Sequence, residues 1–295
     1  MNRERHNENI ALHFERSWKI FEKWCYSGET LGIHYGYYTD TTRNFKDAVY
    51  SMNDFIGELL DLEHKKSASI LDAGCGVGGT SIYLGKKFPH VQFTGITLSE
   101  GQVKMGQKFI REKDVTNCKI LKGDFNKTEF PSNSFDGVFA IESVGYSENI
   151  ADFVQEMKRV LKPGGILVVL DGFRTEVTIN SILQKIYERF LFGRGYQKLD
   201  LPRLKFYIGL LENKGFTDVY HNDISDHVTR SQIRGIIIVI PFFVSYVLKK
   251  ILTLGIYDSS KNYFDFSMGA AIFSPIIALK HISRYYLITA KKGGP

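Results

Sequence analysis

Cysteine is scarce in this chain. Cys25, Cys75 and Cys118 are the only three in 295 residues, and they show no paired spacing. A disulfide framework is therefore excluded, and a reducing compartment is expected. Dense basic runs are also missing, although the formal net charge is +6 and the pI is near 9.0. Scattered lysines and no recognisable binding module argue against nucleic acid as a partner. The positive surplus suits an anionic substrate or membrane surface, or is plain surface composition. Met1 to Glu8 is polar and charged, so no secretory signal is expected.

Long apolar runs are lacking as well. Gly235–Leu248 and Phe266–Leu279 each hold about 14 residues, roughly 21 Å as helix, against the about 20 that a bilayer core demands. Pro241 and Pro275 interrupt them. What the chain does have is Leu71-Asp72-Ala73-Gly74-Cys75-Gly76-Val77-Gly78-Gly79, entered from Ile70-Leu71 and followed by a helix-compatible run from Thr80 to Phe88. Alternate glycines let a backbone turn sharply and approach a ligand that any Cβ would push away. A strand entering such a turn before a helix is the nucleotide-binding first turn of a doubly wound α/β sheet. The glycine spacing differs from the dinucleotide fingerprint. With Asp72 two positions before Gly74, it resembles motif I of class I S-adenosylmethionine-dependent methyltransferases. Cys75 reads as a small residue filling the turn.

Four further stations follow in register. His90 to Ser99 is an apolar strand ending in small polar residues, and Gly95-Ile96-Thr97-Leu98-Ser99 with Gln102 is similar to the cyclopropane-fatty-acid synthase branch. Most relatives grip the ribose with an acid here, so the resemblance assigns that work to Thr97, the Leu98 backbone or Gln102. Leu121-Lys122-Gly123-Asp124-Phe125 matches the station where Asp124 meets the adenine amino group and Phe125 packs on the ring. Ser134 to Ser143 reads as strand four and its loop, with Ile141 on the cofactor. Glu156 to Asp171 is the helix, Pro-Gly-Gly turn and fifth strand common to the superfamily. The resemblance thus implies Asp72, Gly74, Gly76, Gly78, Thr97, Leu98, Gln102, Asp124, Phe125 and Ile141 as cofactor contacts. S-adenosylmethionine is the implied cofactor; no metal is expected.

The flanks bear on the acceptor. Ile10, Phe14, Trp18, Phe21 and Cys25 recur at helical spacing over residues 10 to 26. Next come Leu31-Gly32-Ile33-His34-Tyr35-Gly36-Tyr37-Tyr38 and a helix from about Asn44 to Leu62. A cap and loop of this kind close over the cofactor in the sterol and tocopherol methyltransferases that the chain resembles. That makes His34, Tyr35, Tyr37 and Tyr38 candidate acceptor contacts, with plain packing as the other reading. Thr175–Phe192 and Leu204–Lys214 read as helices. Strand six is expected from Thr217 to about Val228, and Arg284 to Lys291 as the last, antiparallel strand. The expected architecture is α/β, a Rossmann-like seven-stranded methyltransferase sheet. Residues 1–62 form a helical cap, 63–228 and 282–295 the core, and 229–281 an apolar insertion. Three roles stand open for that insertion: a lid around an apolar tunnel, a membrane-interacting helix pair, or a dimer contact.

Methyl transfer from a sulfonium is an in-line displacement, so the protein mainly aligns the acceptor and excludes water. A hydroxyl or amine acceptor needs a base. An alkene forms a cation that aromatic faces or a carboxylate stabilise. The loop Ile141 to Asn149 resembles the sterol and tocopherol methyltransferase loop, whose glutamate matches Glu142. Tyr146 stands where a histidine is common, leaving Glu142, Tyr146 and Glu148 as catalytic candidates; Glu142 could equally hold the cap loop. The expected activity is methylation of a hydrophobic small molecule, preferably at carbon on an isoprenoid, sterol-like or other lipid acceptor. O- or N-methylation of an amphiphile competes with it, as does a non-catalytic cofactor-binding role in a membrane assembly. Cytoplasmic residence, with or without peripheral membrane contact, is the matching location, and oligomerisation stands open.

Overall fold

A computed structural model describes residues 3–24, 27–177, 201–252 and 282–294. Helix α1 (Arg3–Trp24), a short α2 (Ser27–Thr30) and α3 (Phe45–Leu59) precede the sheet. Strand β1 (Ala68–Ala73) then alternates with helices: α4 (Gly79–Lys87), β2 (Val91–Thr97), α5 (Glu100–Glu112), β3 (Cys118–Lys122), β4 (Phe135–Ile141) and α6 (Ile150–Val160). Strand β5 (Leu161–Arg174), α7 (Leu204–Asn213), β6 (Phe216–Asp223), α8 (Ser225–Leu252) and β7 (Ser283–Lys292) complete the described chain.

The seven strands run in the order β3-β2-β1-β4-β5-β7-β6, with β7 antiparallel to both neighbours. This is the expected α/β sheet. Its strand order reverses between β1 and β4, the switch point at whose carboxyl edge open α/β sheets bind ligands. Successive side chains along a strand face opposite ways, so the sheet feeds two cores. Ile70, Phe93, Phe139 and Val168 pack beneath Met52 and Ile56 of α3 and Leu84 of α4. Leu71, Ala73, Val138 and Val169 pack with Phe153 and Met157 of α6 and Tyr207 of α7. Helix starts are fixed locally. The side chains of Asn44, Ser99 and Asn149 each accept a backbone N–H from the first turn of α3, α5 and α6.

Two sequence expectations change. Strand six stops at Asp223 rather than near Val228, because Asp223 Oδ1 accepts the Ser225 N–H at 2.9 Å and turns the chain into α8. The first apolar run is then no separate element. It continues α8 unbroken through Pro241, across the expected boundary at 228/229. A proline removes one backbone donor from a helix without ending it here. The second run, most of Thr175–Phe192 and Cys25 lie outside the described residues.

Candidate active site

The glycine turn leaves β1 with Gly74, Gly76 and Gly78 all at positive φ (91°, 57° and 83°). A Cβ on Gly74 would sit 2.5 Å from Ser143 Cβ, so glycine alone lets the loop after β4 close on the turn. Ser143 Oγ fastens that closure by donating to Ala73 O at 2.7 Å. Gly76 differs: a Cβ there would meet nothing nearer than Ile33 Cδ1 at 3.4 Å and Gln102 Nε2 at 3.7 Å. A Cβ there would make only ordinary contacts, so the turn faces the loop before α3 and the start of α5, between which the candidate cofactor cleft lies. Asp72 is buried, takes Ser81 Oγ at 2.7 Å, and is pushed up to about 7 by desolvation. It ties the strand to α4. Burial also raises the Cys75 thiol, in keeping with a small packing residue rather than a reactive one.

Along the edge of this cleft, Thr97 Oγ1 donates to Gln102 Oε1 at 2.6 Å. Leu98 is half-buried beside them. Asp124 Oδ1 accepts from Asn126 N and Nδ2, both at 2.8 Å, while Asn7 Nδ2 of α1 donates to Oδ2 at 2.9 Å. Phe125, expected against an adenine ring, is buried edge-on to Phe153 with ring centroids 5.3 Å apart. Helix α1 crosses this whole edge. Glu15 Oε1 takes Ser99 Oγ at 2.7 Å and Gly101 N at 3.1 Å; His6 Nε2 lies 3.0 Å from Tyr146 O; Arg3 pairs with Asp152 and, at 3.5 Å, with Glu148.

The other side of the cleft gathers around Glu142, at the carboxyl end of β4 beside half-buried Ile141. Its φ of 49° is left-handed, uncommon for a side chain of this size. The Tyr35 N–H donates to Oε1 at 2.7 Å and Tyr285 OH donates to the same oxygen at 3.0 Å. The Tyr35 and Tyr285 ring centroids lie 5.9 Å apart. Desolvation, with Asp171 nearby, pushes Glu142 up to about 8. Asp171 accepts from the N–H groups of Val144 (2.9 Å), Gly145 (3.3 Å) and Gly172 (2.7 Å), which fixes the loop, and burial takes it to about 6.

The remaining candidates separate by contact. Tyr146 packs edge-on to Phe14 of α1 at 5.2 Å, and Glu148 faces Arg3, so both belong to the contact with α1 rather than to Glu142's surroundings. His34 is buried between Tyr35 O at 2.8 Å and Thr80 Oγ1 at 3.3 Å, and desolvation lowers its pKa, which marks a neutral structural histidine. Tyr37 is stacked between Phe55 (4.6 Å) and His227 (4.3 Å). Tyr38 lies under Arg230, 5.4 Å from its ring centroid. Of the four loop residues, Tyr35 alone bonds to Glu142. Sequence reasoning assigned no role to Tyr285, Asp171 or Asn7. A buried-type acid ending an apolar strand was the available signal for Asp171; nothing local marks a tyrosine in the last strand.

A methyltransferase domain family model matches residues 71–169. A sterol 24-C-methyltransferase of Gibberella zeae is 31% identical over 162 residues, 55% of this chain and 42% of that protein. The chain thus spans under half the length of that relative. An S-adenosyl-L-methionine-dependent Diels-Alderase of Talaromyces variabilis is 30% identical over 203 residues, 66% of this chain and 69% of that one. Among solved structures, a cyclopropane synthase from Mycobacterium tuberculosis superposes with a TM-score of 0.79 at 17% identity, covering 97% of this chain and 98% of that one. The positive-φ glycine turn, where a side chain would meet Ile33 and Gln102, is the part of the chain at which an adenosyl group would be held. The chain belongs to the class I S-adenosylmethionine-dependent methyltransferase family, with S-adenosylmethionine as its cofactor.

Proposed function

We propose that the protein transfers a methyl group from S-adenosylmethionine to a hydrophobic small molecule, at carbon on an isoprenoid, sterol-like or other lipid acceptor. The observation that carries this reading is Glu142, a desolvated carboxyl held by the Tyr35 N–H and the Tyr285 hydroxyl at the switch-point edge of the sheet, with the two tyrosine rings 5.9 Å apart. The similarity to a sterol 24-C-methyltransferase supports the acceptor class. In this reading the backbone from Gly74 to Gly78, Gln102 and Asp124 hold the cofactor, which supplies an electrophilic methyl on a sulfonium when bound.

Glu142 and the two tyrosine rings then do the protein's share of the chemistry. Positive charge developing on an alkene is stabilised by the aromatic faces and the carboxylate. With Oε1 fixed by two donors, Oε2 is the oxygen left to take the departing proton. A cation in the cleft favours the ionised carboxylate and draws its pKa down from about 8. Helix α1 and the loop before α3 keep water out. An acceptor of this kind partitions into lipid, so peripheral membrane contact is part of the reading.

A second reading rests on the Talaromyces variabilis relative, whose name specifies a Diels-Alderase. There the cofactor would only shape the cleft and Glu142 would polarise a substrate carbonyl as a neutral acid. Incubation with methyl-labelled S-adenosylmethionine and a host lipid extract separates the two. Methyl transfer puts label in the organic phase and forms S-adenosylhomocysteine in equal amount. Ring closure changes a substrate without either. Label in water-soluble material would replace the lipid acceptor with an amphiphile, and absence of any turnover would leave a cofactor-binding role.

A further inference from the structure

Helix α8 has two unlike ends. Its first turns are fastened to the loop that carries Tyr35. His227 Nδ1 lies 2.7 Å from Tyr38 O, and Tyr38 N donates to His227 O at 2.8 Å. Ser231 Oγ accepts the Gly36 N–H at 2.9 Å. Arg234 lies over the Phe45 ring, 4.8 Å from its centroid. Beyond these anchors the helix presents Ile233, Ile237, Ile240, Val244, Leu248 and Leu252, all exposed, up to 64% at Ile237 and 81% at Leu252. Steps of three and four place them along one face, in a stripe about 29 Å long at 1.5 Å per residue. Solvent-facing aliphatics in an unbroken row of this size mark a contact surface rather than scattered exposure.

Charge identifies the contact. From Val228 to Leu252 the sequence contains no acid but includes Arg230, Arg234, Lys249 and Lys250, and the whole chain carries +6. Among the described residues, no helix is long and apolar enough to cross a membrane. A helix with an aliphatic face and basic residues at both ends lies in the headgroup plane of an anionic bilayer, where aliphatic burial and lipid charge add. We propose that the aliphatic face of α8 docks this protein on an anionic lipid surface, so that the loop bonded to Glu142 sits at the bilayer boundary. The inference deepens the apolar-acceptor reading. One rigid helix both touches the lipid and forms the wall beside Tyr35, giving a bilayer-dissolved acceptor a short route to the cleft.

The test uses the full chain in sedimentation with vesicles of phosphatidylcholine alone and of equimolar phosphatidylcholine and phosphatidylglycerol. Partition onto the anionic vesicles is expected to exceed that onto the neutral ones by at least about tenfold. The double variant Ile237→Glu/Val244→Glu should lose at least about tenfold of that partition, with unchanged cofactor affinity by calorimetry as proof of folding. Should that variant fail to fold, Ile237→Ser/Val244→Ser reads out the same loss. Docking is overturned if the parent ignores anionic vesicles, if a folded variant binds them as the parent does, or if the substitutions split a dimer in sedimentation velocity. The last result would assign the stripe to a second copy. Vesicle binding is read without turnover, so it fails independently of the acceptor. Methylation of an apolar acceptor without vesicle binding defeats the docking alone, and vesicle binding with a water-soluble acceptor defeats the acceptor reading alone.

Discussion

The two sides of the cleft are assembled over different distances along the chain. Around the glycine turn, several hydrogen bonds join near neighbours: Asp72 with Ser81 nine positions on, Thr97 with Gln102 five on, Asp124 with Asn126 two on, while α1 and the loop after β4 add Asn7 to Asp124, Glu15 to Ser99 and Ser143 to Ala73 from 117, 84 and 70 positions away. Around Glu142 they join strangers. Tyr35 reaches it across 107 positions, Tyr285 across 143, and Gly36 meets Ser231 across 195. The first side has bonds made within residues 72–126, to which α1 and the loop after β4 are added; the second exists only once the last strand, the loop before α3 and α8 have come together. A ligand held by the first side can thus be common to a family while the second side changes the acceptor.

If that division is real, substitutions should damage one side and spare the other. For cofactor affinity the largest effect is expected for Gly76→Val. Its φ of 57° forces a branched residue into the left-handed region, and the added side chain would point toward Ile33 and Gln102. Backbone strain of about 1–3 kcal/mol in the bound geometry should weaken cofactor binding by tenfold or more. Calorimetry reads this, with circular dichroism showing the fold retained. Turnover at saturating acceptor should fall in step. Next is Tyr285→Phe, which removes one of the two donors to Glu142 Oε1. A hydrogen bond to a charged group contributes about 1.5–3 kcal/mol, so turnover at neutral pH should drop roughly tenfold while calorimetric affinity for the cofactor stays at the parental value. A matching loss of cofactor affinity would show that the two sides are one unit. The smallest effect is expected for Asp124→Ala. An exposed-edge hydrogen bond worth about 0.5–1.5 kcal/mol gives a weakening of a few fold in cofactor affinity and an unchanged pH profile of turnover.

The same difference explains what could be read from the sequence. Motif I and the succession of strands along the chain are local patterns, and the sheet carries them where expected; Pro163-Gly164-Gly165, expected as a turn before strand five, instead lies within β5, where its pairing with β4 shifts register between Phe135 and Gly137. Glu142 was visible because it ends strand four within a family-like loop. Tyr285 was not, since its role depends on β7 entering the sheet beside β5, where Tyr285 pairs with Gly172 one residue beyond Asp171. Tyr146 and Glu148 share the loop with Glu142, yet the short helical turn of Val144–Tyr146, pinned by Asp171, directs them to α1. In the aromatic loop, Tyr37 stacks on Phe55 of α3 and His227 of α8, and His34 lies against Thr80 of α4, the packing that was the other reading of these two residues. Periodicity also could not show that residues 225 to 252 form one helix, because a proline in mid-run reads as an interruption.

The central claim is that Glu142 works as a carboxylate in a desolvated site. Burial raises its pKa to about 8, so the group is protonated below that pH until a nearby cation draws the proton off. The most direct test is the pH profile of kcat with saturating cofactor and acceptor, for the parent and Glu142→Gln side by side. Parental turnover is expected to rise with pH through a midpoint at or below about 8. The glutamine variant should lack that limb, turning over roughly a hundredfold more slowly at its plateau, the scale of losing one electrostatic contact to the developing charge. A parental profile flat from acid to base, or the same midpoint in both proteins, would contradict it.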